Sequence, residues 1–140
     1  MTAKPFLDTN VLLYSLDIPT GTPRDLRSNK AEQVLGEGGI VSVQVLNEFC
    51  DVASRKLKFN WERIAGFLEV FESLCGRPLP LTAETHSAAV AISKRYGFRI
   101  YDSLIVASAI NAGCSTLLTE DLHHGQVIDG LRIENPFLQG

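Results

Sequence analysis

Cysteine is scarce in this chain, and its three copies, Cys50, Cys75 and Cys114, form neither an even set nor a CxxC spacing. That excludes a disulfide framework or a cysteine zinc site as the basis of the fold, and it suits reduced thiols filling core space. Long apolar runs are missing as well. No stretch approaches the ~18 continuous apolar residues that span a bilayer, so a membrane protein is not expected. The opening residues, MTAKPFLDTN, carry one basic residue and a short apolar run before an acid. They lack the apolar core and cleavage site of a secretory signal, and the expected location is the cytoplasm. Positive charge is not in excess either: the net charge of −3 gives no overall attraction to nucleic acid, whose binding is driven by Lys and Arg neutralising phosphates. A polyanionic substrate therefore has to be held locally.

What is present fits one domain over residues 1–140, long enough to bury roughly two thirds of its unfolded surface without covalent staples. Lys4 to Asp8 reads as a short buried strand ending in an acid, followed by the N-cap types Thr9 and Asn10 and the apolar run VLLYSL of a short helix. The segment IPTGTPRD reads as a loop, and Asp25 to Glu37 as a helix stopped by Gly38 and Gly39. IVSV is expected to be a second strand, with a helix from Ser42 to Leu57 carrying Val45, Phe49, Val52 and Ala53. Asn60 to Leu74 continues as an amphipathic helix with Ile64, Phe67, Leu68 and Phe71 on one face. PLPLT is expected as a third strand, Ala83 to Tyr96 as a helix ended by Gly97, and Tyr101 to Ala112 as a helix buried on most sides. TLLT and LRIEN complete the strands, with the polar turn EDLHHG between them. Short apolar strands alternating with helices point to an α/β sandwich around a mostly parallel sheet, whose functional groups gather beyond the carboxyl ends of the strands.

Four acids stand where charge is unwelcome. Asp8 follows Pro5, Phe6 and Leu7 at a strand end, where its plain role is to cap the next helix. Glu48 flanks the core-facing stripe of its helix, whereas Asp51 and Lys56 suit solvent. Asp102 shares a face with Ile105 and Ala109 in a helix with almost no polar side, and the pull of a helix N-terminus, typically under about 1 kcal/mol, barely justifies burying an acid there. Asp121 follows TLLT and shares a side with Thr119 if the strand extends that far, whereas Glu120 points away. Asp121 is the favoured fourth acid, with Glu120 the open alternative. Carboxylates gathered at low dielectric stay charged only with a cation among them. Oxygen donors without cysteine suit Mg²⁺ or Mn²⁺ better than zinc. His86 and the adjacent pair His123 and His124 read as surface or structural residues, with a phosphate contact by His123 as a minor option.

In the order LDTNVLLY, NEF, YDSLIVASA and LLTEDLHHGQVIDGLRIENPF, the chain closely resembles the PIN-domain family, particularly its VapC-like toxins, from the first strand almost to the end. The resemblance implies a PIN-like three-layer α/β/α sandwich with a short-stranded, mostly parallel central sheet. It also implies Mg²⁺- or Mn²⁺-dependent cleavage of RNA, inhibition by a cognate antitoxin and a homodimer. By position, Asp8, Glu48, Asp102 and Asp121 match the family's acidic quartet, serving as catalytic residues and metal ligands, with Asn10 and Thr119 as supporting polar residues. Basic residues available for RNA are Arg24, Arg27, Lys30, Lys94, Arg95 and Arg99, of which Arg99 either pairs with Asp102 or meets a phosphate. The helices over residues 43–75 offer a groove for an antitoxin helix or a dimer contact. The rivals are a non-catalytic module of the same fold that only binds RNA or protein, and a haloacid-dehalogenase-like phosphatase. The latter needs a second Asp where Asn10 stands.

Overall fold

The computed structural model describes residues 4–16 and 26–138. Arg24 and the segment IPTGTPRD, read above as a loop, lie outside the described residues. The described elements run β1 (Phe6–Leu7), α1 (Thr9–Tyr14), α2 (Leu26–Glu37), α3 (Val43–Arg55), α4 (Trp61–Cys75), α5 (Ala83–Tyr96), α6 (Ile100–Asn111), β2 (Thr116–Leu118), β3 (Val127–Ile128) and β4 (Leu131–Glu134). The sheet has the order β1-β2-β4-β3; β1 and β4 both run parallel to β2, and β3 closes the far edge antiparallel to β4.

Two of the expected strands contract to single bridges, Phe6 with Ile40 and Ser42 with Leu79. The cause is local. Ser42 already caps α3, its hydroxyl accepting from the Val45 amide, so the chain leaves the sheet one residue after pairing. Leu79 is flanked by Pro78 and Pro80, which have no amide proton to extend a ladder; only Leu79 itself bonds, accepting from the Val43 amide and donating to the Val41 carbonyl, both at 2.9 Å. The sheet thus gains one parallel rung beside β1, and a second beyond it, without two more strands.

The helices form where the apolar spacing places them, and their ends have identifiable caps. Asn60 caps α4 by accepting from the Arg63 amide, Thr82 caps α5 by accepting from the Thr85 amide, and Gly97 ends α5 in the left-handed region at φ 76°. One core joins the sheet to the helices: Phe6, Phe49, Phe71, Leu117 and Ile133 are wholly or almost wholly buried. Phe49 and Phe71 meet edge to face at 4.9 Å between ring centroids, a contact worth about 0.5–1.5 kcal/mol beyond the area it buries. Helix α6 is buried from Ser103 to Ala109 without interruption. Cys114 is buried, Cys50 and Cys75 are half-buried, and all three are free thiols. Among the described residues no helix is long and apolar enough to cross a membrane.

Candidate functional site

Parallel register does the first step of assembly. Leu7 of β1 pairs with Leu118 of β2, so the residues that follow, Asp8 and Thr119, emerge side by side at the carboxyl ends of two neighbouring strands. The Asp8 amide donates to the Leu118 carbonyl at 3.0 Å, and the Thr119 amide to the Glu134 carbonyl at 2.9 Å. Asp8 is also the N-cap of α1, with Oδ1 accepting from the Thr9 amide at 2.7 Å. Its other oxygen, Oδ2, accepts from the Thr119 hydroxyl at 2.6 Å. Capping and site geometry are therefore the same fact for this residue.

A cleft of about 400 Å³ opens over this point, and Asp8, Glu48, Asp102, Glu120 and Asp121 all line it. Helix α3 packs on α1 and α6, which brings Glu48 to the cleft; the Thr9 hydroxyl donates to Glu48 Oε2 at 3.1 Å. Asp102 lies in the first turn of α6, where Arg99 Nε stands 3.8 Å from its Oδ2. Arg99 thus pairs with Asp102 as one of its two expected roles. Asp121 receives the Asn10 amide through Oδ2 at 3.2 Å, and its own backbone N–H donates to Thr119 Oγ1 at 3.0 Å. The Thr119 hydroxyl, wholly buried, therefore links Asp8 to the Asp121 backbone.

Glu120 turns to a separate group. The Tyr14 hydroxyl donates to Glu120 Oε1, Arg27 Nη1 donates to the Tyr14 oxygen at 2.9 Å, and Arg27 stands 3.9 Å from Glu120 Oε2. The Arg27 guanidinium also sits over the Tyr14 ring at 4.6 Å, and Phe137 meets that ring edge-on.

The electrostatics follow first from burial, which Arg99 opposes only in part. Asp8 is only 4% exposed; burial, opposed by its bonds from Thr119 and Thr9 and reinforced by the charges of Asp121 and Asp102, pushes its pKa up to about 6. Burial and then the Asp8 charge push Glu48 to about 7, against the Thr9 bond and Arg99. Asp102 is raised by burial, with Arg99 pulling it down and Asp121 adding to the rise. Among the described residues no three Asp, Glu, His or Cys side chains are, as they stand, close enough together to hold a metal ion. Each acid is instead turned to the nearest donor, as mutually repelling carboxylates will be. The donor set fits a hard divalent ion on chemistry: it is all oxygen, drawn from two strand ends and two helices, and its carboxylates outnumber the cations beside them. Asn10 Oδ1 adds an orphan, a buried acceptor with no donor, as expected of a wall that gains a proton-bearing or positively charged ligand.

All four sequence-selected acids, with Asn10, line the cleft, and Thr119 lies beneath it. His123 does not line it, and His86, His123 and His124 are exposed, with His124 Nδ1 accepting from the Asn135 amide. Lys30, Lys94 and Arg95 also lie outside it. Sequence reasoning passed over Tyr14, which stands one helical turn after Asn10 and so shares its face. Lys56, read as suited to solvent, is exposed as expected and also lines the cleft.

Comparison with known proteins follows the geometry. A family profile described as PIN domain matches residues 6–128. Among solved structures, Mycobacterium tuberculosis VapC20, described as a toxin cleaving the sarcin-ricin loop, superimposes with TM-score 0.64 at 17% identity, over 83% of this chain and 90% of that one. A toxin–antitoxin complex from Klebsiella pneumoniae matches with TM-score 0.67 at 16% identity, over 95% and 98%. VapBC2 from Rickettsia felis, solved on a DNA fragment of its promoter, matches with TM-score 0.62 at 23% identity, over 93% and 96%. No curated protein matches. At these identities the likeness is one of fold.

Proposed function

The chain belongs to the PIN domain family, and from that premise we propose that it is a single-domain, divalent-metal-dependent endoribonuclease, the toxin of a toxin–antitoxin pair acting in the cytoplasm. The observation that carries this reading is the meeting of Asp8, Glu48, Asp102 and Asp121, drawn from four separate parts of the chain, around one cleft. These four would hold Mg²⁺ or Mn²⁺. Such an ion, when bound, lowers the pKa of water and offsets charge developing on a scissile phosphate.

The chain's own residues do the orienting. Thr119 fixes one oxygen of Asp8 and the Thr9 amide fixes the other, which leaves the carboxylate a single orientation. Thr9 turns Glu48, Asn10 holds Asp121, and Tyr14 with Arg27 keeps Glu120 occupied, so Asp121 is the fourth acid of this reading. Supports of this kind decide whether ligands are correctly aimed. Hydrolysis by water leaves 5′-phosphate and 3′-hydroxyl ends, whereas attack by the 2′-hydroxyl leaves a cyclic phosphate.

The similarity to toxin–antitoxin complexes supports an antitoxin partner; a homodimer is part of the proposal on the family resemblance alone. An apolar groove between α2 and α4, lined by Leu35, Phe67, Val70, Phe71 and Leu74, has the character that takes an amphipathic helix.

The test is cleavage of mixed RNA by purified protein with Mn²⁺, with Asp8→Asn and Asp102→Asn alongside and the new ends analysed. The expected result is 5′-phosphate ends from the unsubstituted chain, loss of cleavage in both variants, and loss in EDTA. RNA retained without cleavage would make the chain a binding module instead. Cleavage that survives EDTA, or both substitutions, overturns the proposal.

A further inference from the structure

Among the described residues the cleft lining has five carboxylates and two cations, Lys56 and Arg99. A single divalent ion does not offset that imbalance, so an RNA strand approaching the acids meets net negative charge unless its phosphates find the cations first. Where those cations stand therefore governs how a strand is drawn in. Arg99 opens α6 and interacts with Asp102 and Glu48, which places it on the α6 lip. Lys56 lines the cleft from the C-terminal end of α3.

Helix α3 presents Glu48, Val52 and Lys56 to the cleft, residues spaced by four and so stacked along one face. Eight residues of helix separate the Glu48 and Lys56 backbones by roughly 12 Å. Helical side chains lean toward the N-terminus, so the Lys56 stem is directed back over Val52 toward the acids. The neighbouring Arg55 is committed elsewhere, with two bonds of 2.6 and 2.7 Å to the Asp51 carboxylate. Lys56 has no ion pair or hydrogen bond from its ammonium among the described residues; Asp51 feels its charge at a distance. An exposed, uncommitted ammonium on the acid-bearing stripe is placed to receive an anion.

We propose that Lys56 is a substrate-positioning residue. It contacts an RNA phosphate outside the scissile linkage, drawing the strand across the cleft between the α3 and α6 lips. This deepens the reading above and rests on RNA being the substrate. The contact is electrostatic and reads no base. It therefore contributes to affinity and to salt dependence and leaves the chemical step alone.

The experiment measures binding of a short labelled single-stranded RNA with Mn²⁺ present, using the full chain carrying Asp8→Asn so that the RNA survives. Adding Lys56→Gln is expected to weaken binding roughly tenfold and to lower the slope of log affinity against log salt by about 0.7. Lys56→Arg should stay within about twofold, and Lys94→Gln, an equal loss of charge outside the cleft, should change neither quantity. In the otherwise unsubstituted chain, Lys56→Gln should raise KM for RNA cleavage and leave kcat unchanged. Equal affinity and slope for Lys56→Gln, equal loss for Lys94→Gln, or no RNA binding at all overturns the inference. If the Lys56 effect appears and the unsubstituted chain never cleaves RNA, the nuclease reading fails and the phosphate contact stands.

Discussion

Single side chains set which partner each cleft acid takes. Asp8 and Asp102 were legible in the sequence because each is an acid inside an apolar segment, a conflict that only a local partner resolves. Between Glu120 and Asp121 sequence spacing could only lean; both line the cleft, and they differ in their partners, which tertiary packing sets. Glu120 is engaged by both of those residues, and Asp121 by Asn10. We expect Asp121→Asn to lower kcat for RNA cleavage by more than about tenfold, as loss of an aimed ligand does, and Glu120→Gln to stay within a few-fold of the unsubstituted chain. The reverse order in steady-state kinetics would reassign the fourth position. Tyr14 was passed over, and Lys56 was read only as suited to solvent, because a tyrosine in an apolar run and a lysine near a helix end are ordinary residues until neighbouring elements form a cleft beside them.

At the scale of elements, the site is a consequence of strand register and of one close approach. Gly39 faces Leu7 so closely that an added Cβ would lie 2.7 Å from Leu7 Cγ, and Leu7 immediately precedes Asp8. Gly39→Ala should force β1 away from the bridge at Ile40, lower stability by about 1–3 kcal/mol as overpacking does, and reduce cleavage by displacing Asp8. Gly36→Ala, within α2 and with nothing near its Cβ, should instead stabilise by up to about 1 kcal/mol. Urea unfolding of the two variants checks both signs, and equal midpoints would contradict the packing argument. Helices were the most legible elements: Ala83–Tyr96 was readable end to end from its apolar spacing and the terminal Gly97. The expected strands at residues 40–43 and 78–82 shrank because a serine cap and two prolines limited pairing. The antiparallel β3 was missed although its signal is present. Asp129 and Gly130, at φ 48° and 85°, form a two-residue turn that pairs Ile128 with Leu131, and Asp-Gly between apolar residues is a strong hairpin cue.

For the molecule as a whole, the acids that make the cleft useful also strain the fold in the absence of a cation. Asp8 stands at about 6 against an ordinary 3.8, and Glu48 at about 7 against 4.5. An acid whose pKa is raised by folding binds its proton more tightly in the folded state. Its contribution to stability therefore falls as pH rises from about 4 to about 7, is absent below that window and stays unfavourable above it. The surface pair Asp51–Arg55 acts with the opposite sign but is weak because it is exposed. In EDTA the thermal midpoint should drop between about pH 4 and pH 7, Asp8→Asn should remove much of that drop, and Mn²⁺ at the higher pH should raise the midpoint by binding the folded form. A midpoint that climbs with pH in EDTA would contradict the burial argument. The net charge of −3 was legible from composition, but its distribution, acids in the cleft and cations at its lips, belongs to the folded chain alone. The most direct test of the whole account is calorimetric titration of Mn²⁺ at neutral pH. We predict binding by the unsubstituted chain, affinity at least about tenfold weaker in Asp8→Asn and Asp102→Asn, and no change in Asp51→Asn outside the cleft. Equal affinity across all four proteins would contradict it.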